Sequence, residues 1–330
     1  MKLKSKIRVF ITLCISVIST SFLVNPVSEN AEIVSTSMIW DSAPHNAFTT
    51  LESYKGYMYC SFREASSHRA YDGKIRIIRS NDGKNWESVA LINQANEDLR
   101  DPKLVLLDNS LVLLVVSRTN SKHYSYTYSS NDGKNWNFMQ KSNNTWRWNA
   151  TNTVLNNSIY SVGYSGDDKS GKLYQTKNAR DWVAIKNNFF PNVNNQPSET
   201  KIFILPNQKL VALVRQEKGN QNAVLGISNP PYSNWTWKDL GVRIGGPSGI
   251  AISNDEILAC VRLYNKPVRL SLLRININNA TYKEIATLPS GGDTGYSDIT
   301  EFNGEYYVSY YSSKNKANKA SIYLSHITLN

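Results

Sequence analysis

After its first 30 or so residues the chain shows almost no helical periodicity. Short runs of apolar or alternating apolar and polar residues recur instead, at 57–62, 75–79, 104–107, 111–117 and 123–128. Others follow at 158–164, 201–205, 209–215, 256–264, 269–275, 305–311 and 320–329. Turn-forming clusters separate them, among them Asp108-Asn109, Pro206-Asn207-Gln208, Ser253-Asn254-Asp255 and Asn303-Gly304. Alternation with a period of two, punctuated about every 8–12 residues, predicts short antiparallel strands in a sandwich, a barrel or a propeller.

A repeat selects among these. Ser80-Asn81-Asp82-Gly83-Lys84-Asn85-Trp86 recurs letter for letter as Ser130-Asn131-Asp132-Gly133-Lys134-Asn135-Trp136. A weaker copy is Thr176-Lys177-Asn178-Ala179-Arg180-Asp181-Trp182, and fainter ones begin at Ser228 and Asn276. Asp and Asn bond backbone groups two residues on, and Gly supplies a positive φ, so each copy predicts a hairpin turn. Starts at 80, 130, 176, 228 and 276 give steps of 50, 46, 52 and 48 residues. That is the length of a four-stranded propeller blade, and the chain has room for six. The expected fold is all-β, a six-bladed β-propeller forming one domain over 32–330. The repeated turns belong on its rim, and function belongs on the loops and strand ends around its centre.

Residues 1–31 stand apart. Lys2, Lys4, Lys6 and Arg8 precede an apolar stretch over 9–24, the order of a signal peptide. No small-x-small cleavage site stands out, so an N-terminal anchor is the alternative, and the protein is expected to be secreted or at the cell surface. Cys60 and Cys260 lie mid-strand, far apart, and read as two buried thiols rather than a disulfide. No Cys/His cluster has zinc spacing, and no metal or cofactor is expected. The net charge is +11, falling to about +8 without the leading segment. Its Lys and Arg are dispersed, which argues against nucleic acid and for an anionic substrate or cell-surface polymer.

With their turns, spacing and motifs, these residues resemble the sialidase (neuraminidase) superfamily of glycoside hydrolases. The likeness extends to a branch of sialidase-like proteins built of Asp-box, or BNR, repeats, and covers nearly all of the chain beyond the leading segment. The turns here are one residue shorter than the usual box. Gly295-Tyr296-Ser297, within Asp293–Asp298, resembles the nucleophile motif of sialidases, which implies Tyr296 as nucleophile. A neutral phenol suits attack beside a substrate carboxylate, which would repel a carboxylate nucleophile. Glu199, 16 residues before Arg215, resembles the glutamate that polarises that tyrosine. Arg215 and Arg262 resemble two of the three arginines that hold the substrate carboxylate.

The first arginine is missing. Where sialidases carry Phe-Arg-Ile-Pro, this chain has His45-Asn46-Ala47-Phe48-Thr49, with Asn46 near the arginine's place. His45 and Asn46 are assigned to substrate binding there, and Arg63 or Arg100 would supply the charge. Arg63-Glu64-Ala65-Ser66-Ser67-His68 resembles the loop carrying the general acid, with His68 near the acid's place and Glu64 and Asp72 as competitors. Asp101-Pro102 resembles a loop whose aspartate faces the pocket and contacts substrate. Trp146-Arg147-Trp148 reads as blade packing or as a sugar-stacking shelf, and Gly245–Ser248 as a turn bringing backbone near the pocket. The implied function is retaining exo-hydrolysis of a glycan ending in an acidic sugar, sialic acid or a relative. The alternatives are a non-catalytic carbohydrate-binding propeller, or a glycosidase or lyase for a different acidic sugar.

Overall fold

The computed structural model describes residues 30–120, 122–143, 146–150, 155–164, 169–314 and 319–329, with backbone alone at 143 and 146–150. Residues 1–29 of the expected signal or anchor segment and the side chains of Trp146-Arg147-Trp148 lie outside the described residues, and Ala31, placed at the end of that segment, opens the first strand.

Strand β1 (Ala31–Trp40) leads into a first sheet of β2 (His45–Tyr54), β3 (Tyr57–Ala65), β4 (Lys74–Ser80) and β5 (Glu87–Ile92). The second holds β6 (Asp98–Leu107), β7 (Ser110–Arg118), β8 (His123–Ser130) and β9 (Asn137–Asn143). The third holds β10 (Trp146–Ala150), β11 (Ile159–Tyr164), β12 (Lys172–Thr176) and β13 (Val183–Asn187). A 3-10 turn at Val193–Asn195 precedes β14 (Pro197–Ile204), β15 (Leu210–Gln216), β16 (Val224–Ser228) and β17 (Thr236–Asp239). The fifth sheet is β18 (Ile244–Ala251), β19 (Glu256–Leu263), β20 (Arg269–Asn276) and β21 (Thr281–Thr287). The last is β22 (Thr294–Phe302), β23 (Glu305–Ser312) and β24 (Ser321–Leu329), completed by β1 as its outer strand.

The molecule is therefore the six-bladed propeller that the repeat predicts. Residues from both ends of the described chain share a sheet, with Ala31 opposite Leu329 and Trp40 opposite Ile322. Closing the ring this way leaves only short edges. The first strands of neighbouring sheets touch in turn around the axis. Apolar faces meet between blades: Ile75 and Ile77 of β4 pack with Leu111, Leu113 and Val115 of β7. Leu213, Leu225, Ile257 and Val261 form the equivalent layer between the fourth and fifth sheets. Cys60 and Cys260 are buried free thiols, as expected. The sequence reading of Gly245–Ser248 as a turn is corrected: these residues lie inside β18.

Each repeated turn joins the third strand of its sheet to the fourth. In the first copy Ser80 Oγ accepts the N–H groups of Asp82 and Gly83 at 3.2 and 2.9 Å. Asp82 Oδ1 accepts those of Lys84 and Asn85, both at 2.8 Å, which hold its carboxyl well below the usual range. Trp86 Nε1 donates back to the Gly83 carbonyl at 3.1 Å. The third copy keeps the device with an amide: Asn178 Oδ1 accepts from Arg180 N and Asp181 N, both at 2.9 Å.

The two identical copies allow a controlled test. Gly83 and Gly133 have φ of 71° and 72°, so alanine at either meets the same left-handed cost of about 1–2 kcal/mol. A Cβ on Gly133 would lie 2.3 Å from the buried Tyr59 ring, whereas one on Gly83 comes no nearer than 3.2 Å, to the flexible terminal methyl of Met58, with the Tyr307 ring at 3.4 Å. A ring fixed in the core cannot retreat, and overpacking adds about 1–3 kcal/mol. Gly133→Ala is expected to melt well below Gly83→Ala in thermal denaturation; equal melting temperatures would show that Tyr59 moves freely.

Candidate active site

The six innermost strands share one irregularity. Pairing with the second strand breaks between Ala47 and Thr50, Arg100 and Lys103, Arg147 and Asn149, Pro197 and Thr200, Gly245 and Ser248, and Gly295 and Asp298. Bulges of this kind bend a strand and re-aim a side chain. Phe48, Asp101, Gly246 and Tyr296 all sit in these bulges with φ of 64°, 49°, 57° and 44°. Glu199 lies in the corresponding bulge of β14. Two residues named from sequence, Asp101 and Tyr296, thus occupy equivalent places in two blades, the first unpaired position of the bulge, and Glu199 takes the second position of the bulge in a third.

Tyr296 hydroxyl donates to Glu199 Oε1. The same oxygen accepts from Arg215 Nη1 at 2.8 Å, and Oε2 accepts the Gly246 N–H at 2.7 Å. Burial pushes the Glu199 carboxyl up, but the Arg215 charge and these three donors outweigh it and leave it below its ordinary value. Burial and the nearby charges of Glu199 and Asp101 raise the Tyr296 phenol well above 10. At neutral pH the proton therefore sits on the tyrosine and the charge on the glutamate, a nucleophile held against its base. Arg215 also pairs with Glu217 at 2.6 Å.

Arg262 Nη2 donates to the Tyr311 hydroxyl at 3.2 Å and lies 3.8 Å from Asp293 Oδ1. The guanidinium carbons of Arg215, Arg243 and Arg262 stand 5.7, 4.3 and 6.0 Å from the centre of the Tyr264 ring. Tyr264, Tyr311, Arg243 and Asp293 were not singled out from sequence. Asp293 falls within the recognised motif and Tyr264 two residues after Arg262, but nothing local to either position marks it.

On the other side of the site His68 Nδ1 lies 2.7 Å and His45 Nε2 3.0 Å from Asp293 Oδ2. Tyr311 hydroxyl donates to Asp293 Oδ1 at 2.8 Å. Phe48 joins the two halves: its buried ring meets Tyr296 and His68 edge-on, at 4.9 and 5.3 Å between centroids. Arg100 stands 5.1 Å from the same ring. A cavity of about 560 Å³ opens beside His45, His68 and Asp293, with Ser66, Ser67 and Arg69 also in its wall. Tyr296 is not part of that wall.

Among the described residues, His45, His68 and Asp293 are the group that brings metal-type donor atoms within 4.8 Å of one another. Both nitrogens approach a single carboxylate oxygen at hydrogen-bond distance. Two ligands of one tetrahedral ion, each bonded at ~2.0–2.2 Å, stand ~3.4 Å apart. The cluster is therefore read as hydrogen-bonded.

Several residues assigned to substrate from sequence have other employment. Arg63 is fully buried. Its Nε donates to Asp98 at 2.8 Å, Nη1 to Ser67 O at 3.0 Å and Nη2 to Ala70 O at 2.8 Å. It ties down the loop that carries His68 and does not face the cavity. Asn46 is also fully buried, its amide donating to Ala43 O and Ala320 O at 2.8 and 2.9 Å. It fastens β2 to the last blade rather than replacing the absent arginine in a pocket. Glu64 takes Trp40 Nε1 at 2.7 Å and pairs with Arg76 at 3.0 Å. Asp72 accepts the Ser66 N–H at 3.2 Å. Neither competes with His68 for the cavity. Asp101 is buried beside Arg100 at 3.7 Å, and burial raises its carboxyl.

Residues 28–155, less than half of the chain, match the model of the N-terminal domain of glycosyl hydrolases family 32. No curated protein matches in sequence. Among solved structures the chain is similar to a protein of unknown function from Dyadobacter fermentans, at 18% identity and a TM-score of 0.80, covering 92% of this chain and 100% of that one. It is similar to an alpha-L-arabinanase of Penicillium chrysogenum complexed with arabinobiose, at 15% identity and a TM-score of 0.68, covering 90% and 99%. It is also similar to Trypanosoma rangeli sialidase, at 14% identity and a TM-score of 0.65, covering 90% of this chain and 59% of that one. At such identities the likeness is one of fold, and the fold is that of propeller glycoside hydrolases.

Proposed function

We propose that this protein is a secreted, retaining exo-glycoside hydrolase acting on a terminal acidic sugar. The observation that carries the reading is the Tyr296–Glu199 hydrogen bond, braced by Arg215 and the Gly246 N–H. In the first step the Tyr296 oxygen attacks the anomeric carbon and its proton passes to Glu199. The bond to the leaving oxygen breaks toward that oxygen, which takes a proton from His68. In the second step His68 takes a proton from water, the resulting hydroxide displaces Tyr296, and Glu199 returns the tyrosine's proton. Arg215 and Arg262 flank the nucleophile as carboxylate binders, and Arg100, against Phe48, is a third cation at the site. Secretion is supported by the basic and then apolar order of the first 24 residues.

One observation favours a second reading. Carboxylates accompany every one of these arginines: Asp101 beside Arg100, Glu199 and Glu217 beside Arg215, Asp293 beside Arg262. A site so neutralised would suit an uncharged furanoside, as in the arabinanase that shares the fold. A panel of 4-methylumbelliferyl glycosides decides between them. Turnover of a sialoside, another ulosonide or a uronide supports the first reading, and turnover of the α-L-arabinofuranoside alone supports the second. Saturable glycan binding with no turnover of any would overturn both and leave a binding propeller.

A further inference from the structure

We infer that Asp293 is a positioning residue that fixes His68 in one tautomer, with His45 as its second donor. The inference deepens the glycosidase reading and rests on it for the reaction, though the tautomer itself can be read without any substrate.

His45 fixes the first proton. Its Nδ1 is buried and has no hydrogen-bond partner, while its Nε2 lies 3.0 Å from Asp293 Oδ2. A proton on Nδ1 would be a buried donor left unmade, costing about 1–3 kcal/mol. It would also set the Nε2 lone pair against a carboxylate. The single proton therefore belongs on Nε2, donated to Asp293.

Asp293 then has a defined load. Burial pushes its carboxyl up, but the hydrogen bonds of His45, His68 and Tyr311 outweigh this and hold it far below the usual carboxylate range. It is an anion that only accepts. His68 Nδ1, 2.7 Å from Oδ2, must be the donor, so the proton of the neutral His68 ring is on Nδ1. That leaves Nε2 as the open ring atom. It has no hydrogen-bond partner among the described residues, on a side chain 40% exposed in the cavity wall.

The loop around His68 is itself clamped. Arg63 holds Ser67 O and Ala70 O, and Arg118 holds Arg69 O and Ala70 O at 2.8 and 3.1 Å. The ring is thus placed by its loop and turned by Asp293, as a carboxylate orients the base of a hydrolytic triad. The ionisable and charged groups facing this pair are His45 from β2, Arg69 from the loop, Arg262 from β19, Tyr311 from β23 and Arg100 across Phe48. With a second proton on Nε2 the His68 ring can hand that proton to a leaving oxygen, and the neutral ring so formed, with Nε2 open, can take one back from water. His45, with Nε2 held by Asp293 and Nδ1 buried, can do neither.

The test is nitrogen NMR of the full-length protein, in which the chain's four histidines are assigned by single replacements. Wild-type protein at a pH where the rings are neutral is expected to show His68 protonated on Nδ1 and His45 on Nε2. Asp293→Asn, whose amide can donate to His68 Nδ1, is expected to move the His68 proton to Nε2. On whichever glycoside is turned over, the same change is expected to lower kcat about 10²–10⁴-fold with KM within about threefold, and to reshape the pH profile. His68 protonated on Nε2 in wild type, or a tautomer indifferent to Asp293→Asn, would overturn the inference. So would stoichiometric binding of added zinc that shifts both rings and is lost in Asp293→Asn, because the nitrogens would then be ligands. The expected tautomers in a protein that turns over no glycoside would uphold the positioning and sink the glycosidase reading alone.

Discussion

Replacing Tyr296 by Phe is expected to lower kcat on the best glycoside of the panel at least ~10³-fold, the scale on which loss of a nucleophile acts. The fold should hardly notice. The ring keeps its contacts with Phe48 at 4.9 Å and Tyr311 at 6.2 Å. Glu199 keeps Arg215 and the Gly246 N–H, so no buried charge is orphaned. Glu199→Gln removes the proton acceptor and leaves Arg215 its pair with Glu217; a loss of about 10²–10⁴-fold is expected, typical of a general base. Because the two groups act as a unit, the double variant should be no slower than Tyr296→Phe alone. Multiplied losses in the double variant would mean that the tyrosine and the glutamate act independently, and that the first step is not as drawn.

The same glutamate predicts a stability profile. Its carboxyl is below its ordinary value of 4.5 when folded, so the unfolded chain binds more protons as the solution is acidified. The contribution is fully present above the unfolded value and is lost as pH falls through the folded one. Glu199→Gln should therefore flatten the loss of melting temperature below about pH 4.5 and leave the neutral plateau's slope unchanged. An acid limb as steep as the wild type's would place the charge of Glu199 outside the folding equilibrium.

Much of the fold was legible because the turn chemistry is local. Ser80, Asp82 and Gly83 bond only to each other and to the next few residues, so an unbroken heptapeptide carries its whole structural reason. The inner strands were not legible. Residues 45–50, 98–103, 244–249 and 294–298 lie in strands but are absent from the predicted runs, because a bulge in each breaks the alternation, and in the last three Gly, Pro or Asp stands where β-formers are expected. The site divides in the same way. Tyr296, Glu199, Arg215 and Arg262 were singled out because residue type and spacing survive in the motifs, and the first three are hydrogen-bonded to one another. Asp293 was passed over because its partners, His45, His68 and Tyr311, are 248, 225 and 18 residues away. Asn46 was assigned to substrate because it stands near the missing arginine's place, and Arg63 because a charge was wanted there; sequence cannot say whether such a guanidinium meets a ligand or Asp98.

Arg63→Met separates those two answers. If Arg63 bound substrate, its loss would raise KM and leave stability alone. The structure instead gives it a carboxylate and two carbonyls in a fully buried position. Removing one partner of a buried ion pair costs about 3–5 kcal/mol. Here the low end is expected, since Asp98 retains Arg118 at 2.8 Å, Arg100 at 3.5 Å and the Gly73 N–H at 3.2 Å. For a chain of this size each kcal/mol moves the melting temperature by roughly 2 °C, so a fall of roughly 6 °C is expected. Activity should fall with it, through kcat rather than KM, because the freed carbonyls of Ser67 and Ala70 release the loop that aims His68. A single variant that melts with the wild type and loses only substrate affinity would return Arg63 to the pocket and unseat the clamped loop on which the placing of His68 depends.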